Sequence, residues 1–210
     1  ALRNTEVKAV QMMSPGGPEV LAFGEVPVPA LRSGTEILVR IRAAGVNPMD
    51  AKQRGRGTWY PGTLPAILGA DGAGIVEEAG PGVRSFRPGD EVYFVHGGLG
   101  KEPGTYAEYT VLEERFAARK PANLSFTEAA AVPLSLITAW EALFELGRLG
   151  KAETVLIHAG AGGVGHLAVQ LAALHGARVC ATVSTQEKED FVRALGAEKV
   201  IRYRERNFVE

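Results

Sequence analysis

The sequence predicts a mixed fold, in which a β-rich domain over residues 1–125 precedes the first half of a parallel α/β domain over residues 126–210. Two observations lead to this prediction. Short apolar segments separated by Gly and Pro turns fill the first part of the chain, as in a barrel or a sandwich. From Glu153 onward, strand and helix patterns alternate as β-α-β-α-β, which is typical of one mononucleotide-binding half of a doubly wound sheet.

The α/β part is organised around the glycine-rich segment His158–Gly165. The apolar, β-branched run Glu153–Ile157 precedes this segment, and apolar residues at helical spacing follow it. Gly160, Gly162 and Gly165 therefore satisfy G-x-G-x-x-G at a strand-to-helix turn. In such a loop the first glycine permits the tight turn, the second lets the backbone approach a pyrophosphate, and the third lets helix and strand pack closely.

This context favours a dinucleotide-binding loop over a glycine-rich turn that binds nothing. The N–H groups of the first turn of a helix lack partners within the helix and carry a partial positive charge, which suits phosphate groups. We therefore predict that five residues of the segment form a cofactor-binding loop, which are Gly160, Gly162, Gly163, Val164 and Gly165.

The first part of the chain contains five predicted strands between turn residues. The alternation is clearest in Thr35–Ala44, where Val39 and Ile41 are set against Arg40 and Arg42. The five predicted strands are Val7–Met12, Thr35–Ala44, Gly72–Ala79, Glu91–Val95 and Tyr106–Leu112.

A helical region begins after these strands. Ser125 and Glu128 form a capping-box pattern ahead of an alanine-rich helix. Pro133 interrupts that helix, so we expect a break and then a second helix through about Leu146. After the glycine loop the predicted elements are a helix to His175, a strand Ala177–Val183, a helix Gln186–Leu195 and a strand Lys199–Tyr203.

Only seven residues follow Tyr203, although a full dinucleotide fold needs a second half of similar size. We therefore expect the chain to be a fragment and, alone, poorly active. The alternative is a natural half-domain, which would leave the first strand of the sheet as an exposed edge that favours association.

The composition is that of an ordinary globular protein. A net charge of −1 gives no electrostatic case for binding nucleic acid or an anionic membrane. The single cysteine, Cys180, lies in a predicted buried strand and is expected to pack rather than react. The sequence shows no signal-peptide pattern and no apolar run of membrane-spanning length, so we expect a cytoplasmic protein.

Several separate blocks of sequence resemble the medium-chain dehydrogenase/reductase superfamily, and most of all its zinc-free, ζ-crystallin-like quinone oxidoreductase branch. The resemblance implies a GroES-like barrel domain, then a partial Rossmann domain, with the active site between the two domains and a homodimer in the full-length protein. Besides the glycine loop, the matching blocks are Ala44-Gly-Val-Asn-Pro-Met-Asp50, Leu68-Gly-Ala-Asp-Gly-Ala-Gly-Ile-Val76, Gly89-Asp-Glu-Val92 and Val132-Pro-Leu-Ser-Leu-Ile-Thr-Ala-Trp-Glu141.

The residue types at the matching positions disfavour zinc. The zinc alcohol dehydrogenases carry a cysteine before the first barrel helix and a Gly-His-Glu further on, but here those positions are Asn47 and Gly69-Ala70-Asp71. The stretch that matches their structural zinc lobe, His96–Tyr106, has no cysteine. We interpret His96 as a surface histidine and predict no metal.

The chemistry is then expected to come from a nicotinamide cofactor. The resemblance implies that Asn47 lies near the nicotinamide, where its amide would bond the cofactor or the substrate oxygen; the alternative is that it only makes a turn before Pro48. Relatives often carry a tyrosine where this chain has Lys52, which is either a proton or hydrogen-bond donor or a solvated lysine. Thr138 matches a threonine at the cofactor cleft; the alternative is an ordinary helix residue.

The end of the second strand of the α/β part favours NADPH over NADH. Sites for NAD usually place Asp or Glu there, but this chain has Val183 and Ser184, so no acidic side chain repels a 2′-phosphate. The resemblance implies that Lys188 and Tyr203 contact that phosphate, and Lys188 is a compact cation suited to it. The alternative is a solvated lysine and a packed tyrosine.

We predict an NADPH-dependent, metal-free oxidoreductase that transfers hydride to a quinone or an α,β-unsaturated carbonyl. Two alternatives stay open: a non-catalytic dinucleotide-binding protein of crystallin or sensor type, and an enoyl-reductase module of a larger synthase. Cofactor oxidation with an added enone or quinone separates the first alternative from the enzyme.

Overall fold

The computed structural model describes residues 5–60 and 62–206. The chain divides into two compact units, Ala1–Leu134 and Ser135–Glu210. Helix α2, Phe126–Ala130, belongs to the first of them, because Ala129 and Ala130 are buried against Ala73 of a barrel strand. The domain bounds 1–125 and 126–210 stay a prediction.

The first unit is built from two antiparallel sheets. The larger sheet has the strand order β7-β3-β5-β6-β8 and the smaller one β2-β1-β4. The strands are β1 Glu6–Met12, β2 Leu21–Pro27, β3 Glu36–Ala44, β4 Ala66–Ile67, β5 Asp71–Ala79, β6 Glu91–Val95, β7 Tyr109–Glu113 and β8 Ala117–Arg119. The helices of this unit are α1 Pro48–Arg56, α2 and the 3-10 turns Pro18–Val20 and Glu114–Phe116.

Apolar side chains from four strands of the larger sheet form the core of this unit. Within the described chain, the fully buried members are Ile37, Val39, Val76, Val92, Phe94 and Leu112. Four of the five predicted strands are confirmed to within a residue. The fifth is wrong at its start, because Tyr106 donates its N–H to the Leu68 carbonyl (3.0 Å) in a loop and the strand begins at Tyr109.

The second unit contains a parallel sheet with the order β11-β10-β9. Its strands are β9 Thr154–Ile157, β10 Arg178–Val183 and β11 Lys199–Arg202. The helices are α3 Pro133–Trp140, which begins at the end of the first unit, a π-helix Glu141–Leu146, α4 Gly163–His175 and α5 Gln186–Ala194. This sheet and these helices confirm the predicted partial Rossmann fold.

Small and β-branched residues let α4 and α5 pack closely on the parallel sheet. Val169, Val179, Ala181 and Val192 are among the most buried side chains of this core. Cys180 is half-buried rather than fully buried, since alternate residues of β10 face opposite sides of the sheet.

The break predicted at Pro133 is confirmed, because α2 ends at Ala130 and α3 begins at the proline. The helix that follows does not continue as an α-helix to Leu146. Its last six residues form a π-helix, which ends where Gly147 donates its N–H to the Ala142 carbonyl at 3.0 Å. Among the described residues, no helix has the length and apolar character needed to cross a membrane.

Candidate cofactor site and candidate active-site residues

The glycine loop is a tight turn between β9 and α4. Gly160 donates its N–H to the Thr182 carbonyl (3.0 Å), and Gly162 donates to the Ala159 carbonyl (2.8 Å). Ala159 adopts a left-handed conformation with a φ of 52°, which is uncommon for a residue other than glycine. The chain therefore turns sharply enough to bring the first amides of α4 to the carboxyl end of the sheet.

The three motif glycines differ in the space around them: Gly160 and Gly165 are closely packed, whereas Gly162 is open to solvent. A Cβ on Gly165 would lie 2.2 Å from the Ala159 oxygen, and one on Gly160 would lie 2.9 Å from the Ala181 Cβ. Gly162 is exposed, and a Cβ there would meet the Ala159 oxygen at 3.1 Å and nothing else within 4 Å. These contacts fit the roles that a pyrophosphate-binding loop requires of its glycines.

The N-terminus of α4 offers backbone donors to a ligand. Its N-cap is Gly162, and no side chain in the described part of the protein caps the helix there. Gly163 and Val164 are exposed on the first turn, and no acidic residue lies in that turn. The residues present therefore fit an anionic group, and with it the phosphates of a dinucleotide.

Thr182 of β10 is hydrogen-bonded to the glycine loop, and the sequence patterns did not identify it. Its hydroxyl lies 3.1 Å from the Ala159 N and 3.3 Å from the His158 Nδ1, and its side chain is buried. The Ala159 N–H donates to this hydroxyl, so Thr182 binds the loop through both its side chain and its main chain. The signal in the sequence was a polar residue at a buried position in the strand next to the loop.

We expect Thr182→Val to lower the free energy of unfolding by about 1 kcal/mol, because the variant keeps the shape of the side chain but removes the acceptor of the Ala159 N–H. The same change should weaken dinucleotide binding, since the loop loses its side-chain anchor. Thr182→Ser keeps the hydroxyl and serves as the control. Chemical denaturation and a binding titration measure both effects, and a valine variant as stable as the wild type would contradict the anchoring role.

The predicted 2′-phosphate residues meet at the carboxyl end of β10. Tyr203 donates its N–H to the Val183 carbonyl at 3.1 Å, which places it beside Ser184. Lys188 lies in the first turn of α5, where its own N–H bonds the Thr185 hydroxyl of the N-cap at 3.3 Å. The side chains of Lys188 and Tyr203 are exposed, and Ser184 is half-buried.

Ion pairs distinguish Arg202 from Lys188 at this end of the sheet. Arg202 forms ion pairs with Glu189 (3.2 Å) and Glu205 (3.0 Å). By contrast, no ion pair within the described ranges engages the Lys188 ammonium. A 2′-phosphate placed here would meet an ammonium group whose charge no carboxylate already neutralises.

Thr138 lies exposed on α3, three residues after Ser135. The Ser135 hydroxyl lies 3.5 Å from the position that a Cβ on Gly163 would occupy, so this helix passes next to the glycine loop. The sequence analysis did not single out Ser135. The part of Thr138 in cofactor binding stays a prediction.

The first unit holds Asn47 in a network of polar side chains at the start of α1. Asn47 is the N-cap of the helix, and its backbone N–H donates to the Asp50 Oδ2 at 2.8 Å. Its side-chain Nδ2 donates to the Asp71 Oδ2 at 2.9 Å. The Tyr106 hydroxyl donates to the Asp50 Oδ2 at 2.9 Å, and the Leu134 N–H donates to the Asp71 Oδ1 at 2.8 Å.

Burial controls the acidities in this network. It raises the pKa of Asp71; hydrogen bonds from Asn47 and the Leu134 amide act against the rise, and the charge of Asp50 adds to it. The pKa of the Tyr106 phenol is raised, first by burial and then by the charge of Asp50. The phenol is therefore a neutral hydrogen-bond donor at physiological pH.

Lys52 does not join this network. It lies exposed on α1, and within the described residues no hydrogen bond or ion pair holds its side chain. Its proposed function as a donor toward substrate stays a prediction.

The positions that match zinc ligands are brought together, but with the wrong donor set. Asn47 and Asp71 are hydrogen-bonded, and Ala70, which stands at the histidine position of Gly-His-Glu, is buried and carries no ligand atom. Of these three, only Asp71 belongs to the ligand types that zinc uses in proteins. Among the described residues, no group of three or more His, Cys, Asp or Glu side chains is arranged so that it could hold a metal ion.

The interpretation of His96 as a surface histidine is wrong. The ring is half-buried, stacks on Phe116 with the centroids 5.1 Å apart, and has a buried Nε2 for which the described part of the chain supplies no hydrogen-bond partner. Burial lowers the pKa of His96, so the neutral ring packs against an aromatic neighbour. Its position after an apolar strand was the signal for this burial.

Comparisons with protein families match both parts of the chain. The alcohol dehydrogenase GroES-like domain matches residues 33–122, and the family described as zinc-binding dehydrogenase matches residues 163–210. The second match begins at the first residue of α4, in the glycine loop that defines the candidate cofactor site.

Known proteins match almost the whole chain. The 2-methylene-furan-3-one reductase of Solanum lycopersicum is 39% identical over 97% of this chain and 54% of its own length. The NADPH-dependent alkenal/one oxidoreductase, chloroplastic, of Arabidopsis thaliana is 37% identical over 96% of this chain and 54% of its own length. The chain thus spans about half the length of these curated relatives.

Solved structures show the same architecture. The quinone oxidoreductase of Coxiella burnetii superposes with a TM-score of 0.87 at 38% identity, over 97% of this chain and 64% of that one. The Escherichia coli quinone oxidoreductase complexed with NADPH superposes with a TM-score of 0.83 at 37% identity, over 96% of this chain and 60% of that one.

Proposed function

We propose that this chain, which belongs to the quinone oxidoreductase branch of the medium-chain dehydrogenase/reductase superfamily, provides the barrel domain and the first half of the cofactor domain of a metal-free NADPH oxidoreductase. Its substrates are small electron-poor acceptors, either quinones or α,β-unsaturated carbonyls. The names of the relatives, a furanone reductase, an alkenal/one oxidoreductase and quinone oxidoreductases, support this class of substrate.

The observation that best supports the proposal is the glycine loop at the start of α4. Gly162 is exposed with space around it, and the helix N-terminus behind it carries no side-chain cap and no acidic residue within the described chain. In this proposal the exposed Gly162, Gly163 and Val164 face the pyrophosphate. The buried Gly160 and Gly165 permit the tight turn and the close helix–strand packing of the same cofactor-binding loop. When bound, the nicotinamide supplies the hydride, and the protein positions the acceptor and stabilises the negative charge that develops on its oxygen.

The finer choice of NADPH over NADH rests on Ser184, Lys188 and Tyr203. No acidic side chain stands at the end of β10, and the Lys188 ammonium is free of ion pairs among the described residues. A lysine and a tyrosine that both follow strand ends at this side of the sheet suit a phosphate dianion better than a ribose hydroxyl. The NADPH-dependent alkenal/one oxidoreductase of Arabidopsis thaliana and the Escherichia coli quinone oxidoreductase complexed with NADPH support the same choice.

In the catalytic part of the proposal, Asn47 hydrogen-bonds the nicotinamide or the acceptor oxygen, Lys52 donates a proton or a hydrogen bond to the product, and Thr138 contacts the cofactor. The homodimer and the cytoplasmic location also remain proposals. A quinone or enone needs no metal to accept hydride, because the charge that forms on its oxygen is stabilised by hydrogen-bond donors.

The direct test follows NADPH consumption by the full-length protein with a simple enone and with a simple quinone as acceptors. We expect turnover with at least one acceptor and no NADPH consumption without one. Tight NADPH binding with no turnover on either acceptor would support the non-catalytic, sensor-like alternative instead.

Metal removal gives a separate prediction. Since the matching zinc positions hold Asn47, Ala70 and Asp71, we expect a chelator to leave the turnover unchanged and elemental analysis of tag-free protein to find no stoichiometric zinc. Loss of activity on chelation, restored by added zinc, would overturn the metal-free assignment.

A further inference from the structure

We propose that Asp71 is a positioning residue that sets the orientation of the Asn47 side-chain amide, and through it the rate of hydride transfer. This inference rests on the proposed function, because it assigns Asn47 to the reacting atoms. Asp71 itself acts only through the hydrogen bond that it accepts from the Asn47 Nδ2.

The Asp71 carboxylate is held on both oxygens. Its Oδ1 accepts from the Leu134 N–H at 2.8 Å and its Oδ2 accepts from the Asn47 Nδ2 at 2.9 Å, while only 1% of the residue is exposed. Its backbone is fixed as well, since the Asp71 carbonyl accepts from the Gly45 N–H at 3.0 Å. A Cβ on Gly45 would lie 2.8 Å from the Asp71 Cβ, so the surroundings are tight. The Asp71 carboxylate, which accepts the hydrogen bond from Asn47, is therefore held in one position.

A fixed acceptor decides which way the Asn47 amide faces. The nitrogen end must lie toward Asp71, because turning the amide over would bring two oxygens together. The backbone of Asn47 is set independently by its N–H donating to Asp50 at 2.8 Å. Two carboxylates from different elements thus fix Asn47. Asp50 binds the main-chain N–H of Asn47, and Asp71 binds its side-chain amide. The direction of the second Nδ2 proton then follows from the amide plane.

The helix does not need this bond to begin. At the helix start the Asp50 carboxylate accepts from the Asn47 backbone N–H, and Pro48 occupies the first turn. Burying a carboxylate without a cationic partner costs free energy of folding. Among the described residues, no lysine, arginine or histidine forms an ion pair with Asp71. A buried carboxylate that costs folding free energy and binds the half-buried Asn47 amide is what a positioning role requires.

The test is a double-mutant cycle in the full-length protein, with NADPH and the best acceptor found for it. Asp71→Asn keeps the side-chain size and the oxygen that faces Leu134, but its NH₂ group faces the Asn47 Nδ2 and forces that amide to turn over. We expect kcat to fall at least tenfold in the wild-type background and less than twofold in the Asn47→Ala background. Equal falls in both backgrounds would show that Asp71 acts on stability alone and would overturn the inference.

A second pair of variants keeps the test decisive if Asp71→Asn folds poorly. The exchanged pair Asn47→Asp with Asp71→Asn restores one N–H···O bond between the two positions with the donor reversed. We expect this pair to recover the thermal stability but not the turnover. Recovery of turnover in the exchanged pair would contradict the requirement for an oriented amide.

A measurement without turnover separates this inference from the proposed function. In NMR spectra, one Asn47 Nδ2 proton should be shifted downfield and protected from exchange in the wild type, and Asp71→Asn should abolish both features. If the wild type consumes no NADPH, the proposed function fails while this measurement still decides the orientation. If the wild type turns over and Asn47→Ala is fully active, the inference and the role proposed for Asn47 fail, while the proposed oxidoreductase activity stands.

Discussion

Gly162→Val is expected to abolish dinucleotide binding while leaving the fold intact. The valine side chain would stand where the backbone of the second motif glycine must approach the pyrophosphate. Loss of the hydrogen bonds from the first turn of α4 to a charged phosphate, each worth roughly 1.5–3 kcal/mol, predicts an affinity for NADPH lower by at least about 100-fold.

The geometry explains why this variant should still fold. A Cβ on Gly162 meets only the Ala159 oxygen, at 3.1 Å, and the residue has the extended conformation (φ −82°, ψ 174°) that a β-branched residue adopts readily. Gly165→Ala differs, since its Cβ would lie 2.2 Å from the same oxygen and must displace backbone. We expect the Gly165 variant to lose thermal stability as well as binding.

The matched control for Gly162→Val is Gly55→Val. Gly55 lies in the other compact unit, on α1, with nothing within 4 Å of its Cβ position. Titration with NADPH measures binding and thermal unfolding measures stability, and both are carried out on the wild type and the three glycine variants. If Gly162→Val binds NADPH like the wild type while folded, the cofactor site is not at the glycine loop.

Local patterns explain how much of the fold the sequence predicts. The alternation in β3, the capping box before α2 and the proline at the start of α3 each act within a few residues, and all three are in place. The glycine spacing is equally local, because the requirement for a tight turn and a helix N-terminus falls within eight residues. Such features depend little on distant contacts.

Features that depend on distant partners were not predictable in this way. β4 has only two residues and exists because it pairs with Met12 and Gln11 of β1. The π-helix over Glu141–Leu146 has no signature in residue type that distinguishes it from an α-helix. Tertiary pairing, rather than propensity, decides β4.

The candidate site shows the same division. The sequence identifies Asn47 through a resemblance, but the bond to Asp71 joins residues 24 positions apart, and only the barrel brings them together. Thr182 likewise reaches the glycine loop from the neighbouring strand. Residue type gives the chemistry of a site, while the partner that orients each group is set by the packing of separate elements.

Lys188→Ala is expected to weaken NADPH binding roughly 10- to 150-fold and to leave NADH binding unchanged, because a charge-assisted hydrogen bond is worth roughly 1.5–3 kcal/mol. The lysine lies in the first turn of α5, where the helix N-terminus adds to its positive charge. Arg202 cannot take over easily, since it is paired with Glu189 at 3.2 Å and Glu205 at 3.0 Å. The change in selectivity for NADPH over NADH between the wild type and this variant therefore measures the contribution of the Lys188 ammonium.

Lys199→Ala is the matched control for that variant. Lys199 is exposed at the first position of β11. It therefore lies at the amino end of the parallel strands, whereas Tyr203 follows their carboxyl end. Lys199→Ala removes one positive charge from the same compact unit as Lys188→Ala does. Any general electrostatic effect on the binding of an anionic cofactor should therefore appear in both variants. Titrations of NADPH and NADH against the wild type and the two variants distinguish the cases. Equal losses for the two cofactors in Lys188→Ala, or a wild type that prefers NADH, would refute the assignment of the 2′-phosphate to Lys188 and Tyr203.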